Sequence, residues 1–222
     1  MKKDKTITAV IPVKHSSSRL PGKNFLPFGE YDSLLDLKIK QLRDSKLVDD
    51  IVVSSDSDLA EEICDKLNVR FSRREKKFAD ESLPISHFFR TMDQIVDTDE
   101  LLWACVTAPL INGEDYDAAI SKWQEVRDQY ESLITVMEHK HYLLDKNGPL
   151  NFTIGDSHVN SQNLPEWYLF TNGIIIRPVK DIVASGSNFG VKSYYHHVPF
   201  EKSIDIDTKW DYQMAKLIHE GN

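Results

Sequence analysis

The chain has 222 residues, enough to bury a sizeable core as one domain with at most a small appendage. Its 41% hydrophobic and 28% charged residues are the balance of an ordinary globular protein and exclude a disordered or membrane-embedded chain. The 27 basic and 35 acidic residues leave a net charge of −8, which argues against a nucleic-acid binder and suits a small anionic ligand held by a local basic loop.

The apolar, β-branched run Ile7-Thr8-Ala9-Val10-Ile11 predicts a buried first strand. Pro12, which has no N–H to donate, is expected to end its ladder. The run is too short for a signal peptide, and no stretch is long enough to span a membrane, so the expected location is the cytoplasm. The loop that follows carries Lys14, Ser16, Ser17, Ser18, Arg19, Gly22 and Lys23. Backbone N–H groups and hydroxyls in such a loop line phosphates, and its cations neutralise them. It is neither a Walker A nor a Gly-x-Gly-x-x-Gly loop, and on residue types alone a solvated basic loop stays open.

Ser33 reads as the N-cap of a helix over 34–45, with Leu35, Ile39 and Leu42 on one face. A second strand over 50–57 ends in hydroxyls and a carboxylate. A helix over 58–67 and a short strand at 69–71 follow. This order predicts an α/β fold with a parallel sheet and helices on its faces. The basic loop and Ser55-Asp56 then face one crevice beyond the strand ends. Residues 73–82 read as a polar loop, 83–96 as a helix and 101–110 as a central strand running into a loop. Cys105 reads as core packing, and Cys64 and Cys105 have no metal or disulfide spacing. A helix over 114–130 and a strand over 132–137 come next. His139 and His141 lack a third ligand and read as an exposed loop.

Residues 143–164 are rich in Asn, Asp, Gly and Ser and predict a small β excursion with a turn at Asn147-Gly148. Asn172-Gly173 reads as a turn entering the next strand. A short helix with a loop at 181–188 and a last strand over 194–198 follow. In Ser203-Ile204-Asp205-Ile206-Asp207-Thr208, period-two alternation puts Asp205 and Asp207 on one side of an extended segment. Their repulsion invites a divalent cation; the alternative is that one carboxylate caps the closing helix and the other is solvated.

Ile11, Pro12, Ser17, Arg19, Pro21, Lys23 and Asn24 together resemble the N-terminal signature of the sugar-acid cytidylyltransferases. The segment 203–211, Ser-Ile-Asp-Ile-Asp-Thr-x-x-Asp, is similar to the C-terminal signature of their acylneuraminate branch. Between these ends, Arg73, Asp80 and Ser82 fit a loop that closes over the nucleotide. Thr107, Gln162, Asn172 and Gly173 fit segments that contact the sugar. Lys14 stands where that family has Arg, Cys105 where it has Gln, Ile111 where it has Arg, and Ser161 where it has Arg.

The resemblance implies a three-layer αβα sandwich with a mainly parallel sheet, of the nucleotide-diphospho-sugar transferase type, spanning 1–222 as one domain. It implies transfer of CMP from CTP to a 2-keto-3-deoxy sugar acid. Pro12, Lys14, Ser17, Arg19, Lys23, Asn24, Arg73, Asp80 and Ser82 would hold the nucleotide. Lys23, Asp205 and Asp207 would be catalytic, the last two carrying Mg²⁺ or Mn²⁺. It also implies a homodimer joined through 143–164. Two alternatives stay open: a related enzyme with another nucleotide or sugar, and a non-catalytic homologue that binds a nucleotide.

Overall fold

A computed structural model describes residues 6–79 and 82–221. In chain order the elements are β1 (Ile7–Val13), α1 (Leu34–Asp44), β2 (Asp50–Ser55), α2 (Asp58–Leu67), β3 (Arg70–Arg73), α3 (Lys76–Ala79), α4 (Ile85–Phe89) and β4 (Glu100–Trp103). There follow α5 (Gly113–Val126), β5 (Ser132–His139), β6 (Leu144–Asp145), β7 (Gly148–Pro149), β8 (Trp167–Pro178), α6 (Val179–Ser185), β9 (Ser193–His197) and α7 (Lys209–Gly221). The main sheet has the order β3-β2-β1-β4-β8-β5-β9. β8 runs antiparallel to β4 and β5, and every other pairing is parallel. The expected α/β class and mainly parallel sheet are both present.

Alternation along the strands builds two cores. Ala9 and Ile11 pack with Leu35, Ile39, Ala60, Ile120 and Trp123 from α1, α2 and α5. Val10 packs on the opposite face with Val52, Trp103, Phe88, Met92 and Ile182. Each Val, Leu, Ile, Phe or Met side chain among them contributes about 1.5–3 kcal/mol through burial. Helices therefore cover both faces, which makes the three layers. Ser33 caps α1 as its sequence predicts: its hydroxyl accepts from the Asp36 N–H at 3.0 Å.

Four local expectations need correction. β1 continues through Pro12 to Val13, with Pro12 opposite Ser54 on β2. The Val10 carbonyl accepts from Ala104 N–H, so Pro12, two residues on, faces the β4 side, where pairing has already stopped at Val10 and Trp103. Its missing N–H costs no ladder bond there. The helix expected over 83–96 is only α4, followed by a 3₁₀ turn at Met92–Gln94. The Thr91 hydroxyl donates back to the Phe88 carbonyl at 2.8 Å, while Phe88 and Phe89 pack edge-on against Trp103. The polar stretch 73–82 contains the single turn α3. The strand expected over 101–110 leaves the sheet after Trp103, once Ala104 has donated to Val10.

The expected small β excursion is present as one short hairpin within an otherwise irregular stretch. Its strands are two residues each, joined by the turn Lys146-Asn147, and Gly148 opens β7 at φ 128°. Asn151 fixes its base by accepting from Leu143 N–H and donating to the His141 carbonyl. Tyr142, Phe152 and His158 form a small aromatic cluster within it. Among the described residues no helix is long and apolar enough to cross a membrane.

α1 carries one residue that its apolar face does not anticipate. Lys38 is fully buried, and burial pulls its ammonium down to about 7. Because the unfolded value is about 10.4, the unfolded chain binds more protons between these two values, so stability rises with pH across that window. Lys38's contribution is fully present above the unfolded value and is lost as pH falls through 7. Urea unfolding from neutral pH to about pH 10 should show this gain in wild type and not in Lys38→Met.

Candidate functional site

Three segments that leave the sheet at one end build the site. The first is the loop after β1. Gly22, at φ 67°, turns the chain into the short 3₁₀ helix at Lys23–Phe25. The buried Asn24 side chain donates to the Lys14 carbonyl at 3.0 Å and ties the loop's two ends together. On the β2 side the Asp56 carboxylate accepts from His15 N–H at 2.8 Å and ties the ends of β1 and β2 together, but neither Ser55 nor Asp56 lines the cavity described below.

The second segment is a bulge in β8. Ile134 pairs with Ile175 and Val136 with Phe170, so Thr171, Asn172, Gly173 and Ile174 stand opposite Thr135 alone. The buried Thr135 hydroxyl accepts from Ile174 N–H and from the Thr171 hydroxyl, both at 2.9 Å. Asn172 takes the left-handed conformation at φ 55°, which Asn tolerates better than most residues. Gly173 lies against Thr135 and Ile111, where an added Cβ would come within 3.2 Å of the Thr135 hydroxyl. The pair Asn172-Gly173 is thus a kink inside a long strand, not a turn before one.

The third segment is 203–208. Ile206 is fully buried and donates its N–H to the Thr107 carbonyl at 2.8 Å. Its neighbours Asp205 and Asp207 then face the opposite side, as alternation predicts. Asp205 is hydrogen-bonded by the Thr107 and Asn172 side chains. Asp207 is bound by Lys23 at 2.9 Å and by Arg19 at 2.6 Å. Lys23 also donates to the Ile206 carbonyl at 2.7 Å. Thr208 caps α7, with Asp211 accepting from the Asp207 and Thr208 N–H groups. Burial, with the charge of Asp207 adding to it, raises the Asp205 carboxyl above its usual range against the pull of Thr107.

A cavity of about 510 Å³ lies among these segments. Pro12, Lys14, Ser17, Arg19, Lys23, Asn24, Thr107 and Asn172 all line it, and Asp205 and Asp207 are bonded to four of these. Cys105 lines it too while packing in the second core, and burial pushes its thiol up to about 12. Ala79, Ile85, Trp103 and Val106 make the rest of an apolar wall opposite the basic loop.

Other sequence-assigned residues lie elsewhere. Arg73 turns away from the cavity and pairs with Asp58 at 2.9 Å and with Glu61, both on α2. Its neighbour Arg74 lines the cavity instead, since successive residues leaving a strand face opposite ways. Arg74 is buried, donates to the Ser54 carbonyl at 3.0 Å and lies 4.0 Å over the Phe88 ring. Burial pulls it down only to about 10, so it stays charged at neutral pH. Ser82 is exposed outside the cavity wall, and Gln162 is exposed on the excursion. Gly173 sits in the bulge without lining the cavity, and Asp80 lies outside the described residues. Arg74 and Trp103 are wall residues for which sequence reading claimed no role, whereas Ser16 and Ser18 belong to the loop it assigned to phosphates. For Arg74 the alternation of the strand before it was the available signal.

The model of the family described as "Cytidylyltransferase" matches residues 8–156. The N-acylneuraminate cytidylyltransferase of Streptococcus agalactiae serotype V is 26% identical over 218 residues, covering 91% of this chain and 51% of that protein. The chain thus spans about half the length of the curated relatives it matches. Among solved structures, a CMP-2-keto-3-deoxy-manno-octonic acid synthetase complexed with CTP superimposes with a TM-score of 0.69 at 11% identity, covering 97% of this chain and 99% of that one. The 4-diphosphocytidyl-2C-methyl-D-erythritol synthase of Anaerococcus prevotii gives 0.68 at 17% identity, with 97% and 96% covered. At such identities these likenesses carry the fold alone.

The site makes its own electrostatic prediction. Thr107 holds the Asp205 carboxyl down by donating to it, so Thr107→Val should move the Asp205 titration to higher pH while the fold persists. Carboxyl-carbon NMR of both proteins reads this directly, and an Asp205 titration that did not move would mean that the hydroxyl does not stabilise the carboxylate.

Proposed function

Because the chain belongs to the cytidylyltransferase family, we propose that it transfers CMP from CTP to a 2-keto-3-deoxy sugar acid of the sialic type, releasing pyrophosphate. The observation that carries this reading is that the basic loop lines one cavity while Asp205 and Asp207, which do not line it themselves, are bonded to four of its wall residues. Its volume lies within the usual range for small-molecule sites. The choice of a sialic-type acid draws support from relatives described as N-acylneuraminate cytidylyltransferases.

In this reading Lys14, Arg19 and Lys23 neutralise the triphosphate, and Ser16, Ser17 and Ser18 offer hydroxyls and N–H groups to its oxygens. The sugar's anomeric hydroxyl loses its proton to water, its oxygen bonds the α-phosphorus, and the bond to the departing pyrophosphate breaks. Catalysis is then mainly positioning and charge neutralisation. Arg74 adds a buried cation beside the cavity.

Asp205 and Asp207 fit a hard divalent cation. They offer oxygen donors only, the donor set that a hard cation takes, and stand two residues apart on one extended segment. Mg²⁺ takes one or two protein carboxylates and keeps several waters, so a third acidic or histidine ligand is not required. Among the described residues no cluster of three or more His, Cys, Asp or Glu suits a metal. The chemistry that Mg²⁺ or Mn²⁺ supplies when bound here is charge neutralisation at the reacting phosphate and the sugar carboxylate.

Cys105, on the cavity wall in place of the resembling family's Gln, favours a second reading in which the sugar or the nucleotide differs. Pyrophosphate release assayed with all four nucleoside triphosphates and a panel of sialic-type and 3-deoxy-octulosonic acids separates the two. Turnover with CTP and a sialic-type acid is expected; turnover only with another nucleotide would replace this proposal. Lys23→Ala should bind CTP about ten- to a hundredfold more weakly, since a hydrogen bond to a charged group is worth about 1.5–3 kcal/mol. Activity should vanish with chelator and return with Mg²⁺ or Mn²⁺, and Asp207→Asn should stay folded but lose most turnover.

The excursion is proposed as a subunit contact. It presents Leu144, Leu150 and Ile154 to solvent, the last 79% exposed, on a hairpin too short to be stable alone. Sedimentation at micromolar protein should give a dimer, and a monomer would remove this role from the excursion.

A further inference from the structure

After Trp103 the chain leaves the sheet and runs irregularly through 104–112 before α5 begins. The carbonyls of such a segment have no ladder and need donors from elsewhere. α1 supplies them from two side chains three residues apart, which share one helix face. Lys38 Nζ donates to the Ala108 carbonyl at 2.9 Å and to the Ile111 carbonyl at 3.5 Å, and pairs with the Tyr116 hydroxyl at 2.8 Å. Gln41 Nε2 donates to the Pro109 carbonyl at 2.6 Å. Lys38 is fully buried, and neither residue lines the cavity.

The segment they grip carries Thr107. The Thr107 hydroxyl bonds Asp205, and its carbonyl accepts from Ile206 between the two carboxylates. The mechanical path therefore runs from α1 through Ala108 and Pro109 to Thr107 and the aspartate pair.

We propose that Lys38, together with Gln41, is a positioning residue for the reaction, clamping 104–112 so that Thr107 is held on Asp205. The proposal rests on the functional reading of the cavity. The charged and titratable groups that bear on Lys38 are Cys105 and Asp115, with Tyr116 in contact. The clamp works in either protonation state. An ammonium donates all three N–H bonds, whereas a neutral amine donates two to the carbonyls and accepts the Tyr116 O–H with its lone pair.

Lys38→Met keeps the length of the side chain and removes the donors. Hydrogen exchange followed by mass spectrometry should show faster exchange confined to 104–112, with β1 and α2 unchanged. Turnover should fall about tenfold or more, the scale of one lost charged hydrogen bond, while KM for CTP stays within about threefold because the loop after β1 is untouched. Adding Thr107→Val to Lys38→Met should cost little more, because both changes break the same path.

Unchanged exchange at 104–112, a rise in KM matching the fall in kcat, or fully additive losses would each overturn the clamp. Should Lys38→Met not fold, Gln41→Leu removes only the Pro109 bond and must give the same local exchange and the same split between kcat and KM. A wild-type protein inactive with every acid and nucleotide would overturn the functional reading. The exchange result would then decide by itself whether α1 clamps the segment.

Discussion

The site depends on one junction, where Lys23 reaches Asp207 and the Ile206 carbonyl across some 180 positions of sequence. Lys23 comes from the first loop of the chain, and Asp207 from the last extended segment. Neither alone would have a fixed place: the basic loop is tied at its base by Asn24, and 203–208 belongs to no strand. Burial of Ile206 in the main core anchors the segment, and its N–H bond to Thr107 sets its register. With Ile206 pointing inward, the two aspartates turn the other way, toward the Thr107, Asn172, Lys23 and Arg19 side chains that line the cavity. Hydrophobic burial of one residue thus fixes two carboxylates that would otherwise repel each other apart.

The antiparallel β8 explains why this can happen at the sheet's middle rather than at an edge. It runs between β4 and β5 against both of their directions, so its central residues pass the ends where the parallel strands release their loops. A regular strand would leave Asn172 in the ladder. The bulge closed by Thr135 lifts it out, and its side chain reaches Asp205. Satisfying the bulge's polar groups with a buried hydroxyl avoids the penalty that unpaired backbone groups would impose. Gly173 follows from the same close approach.

Much of this was legible in the sequence, and the exceptions have physical causes. Strong periodicity revealed α1, α2 and α5 and the buried strands, because burial on one face leaves a repeating signal. The alternation at 204–207 placed Asp205 and Asp207 together correctly. What stayed hidden depended on contacts between distant segments. Whether Arg73 or Arg74 faces the cavity is decided by where β3 ends, and sequence boundaries do not resolve one residue. The burial of Lys38 had no signal in the sequence, since nothing local announces the carbonyls that surround it. The break of 83–96 into short turns reflects how Phe88 and Phe89 must meet Trp103, a contact with a strand not yet formed in the local sequence.

The departures from the resembling family take on a physical meaning once they are placed. Ile111, where that family has Arg, is fully buried and packs against Gly173 in the bulge. An uncompensated guanidinium there would lose its hydration inside the main core, so the apolar residue is the stable choice. Yet the Ile111 carbonyl still lies within reach of a cation, because Lys38 enters the same region from α1. The nitrogen donor of this region therefore sits behind the 104–112 segment, where it grips carbonyls from beneath whether or not it is charged. Cys105 changes the other side of that segment: a small, protonated thiol replaces a two-way hydrogen-bonding amide on the cavity wall. Together the two changes shift polar contacts from the face of the segment that meets the cavity to the face that meets α1. A wall altered in this way offers fewer hydrogen bonds to a bound molecule and more apolar surface beside Trp103 and Val106. On the proposed reading, discrimination among acceptors would rest on shape at this wall and on charge at the aspartates, because the thiol offers a bound molecule no amide.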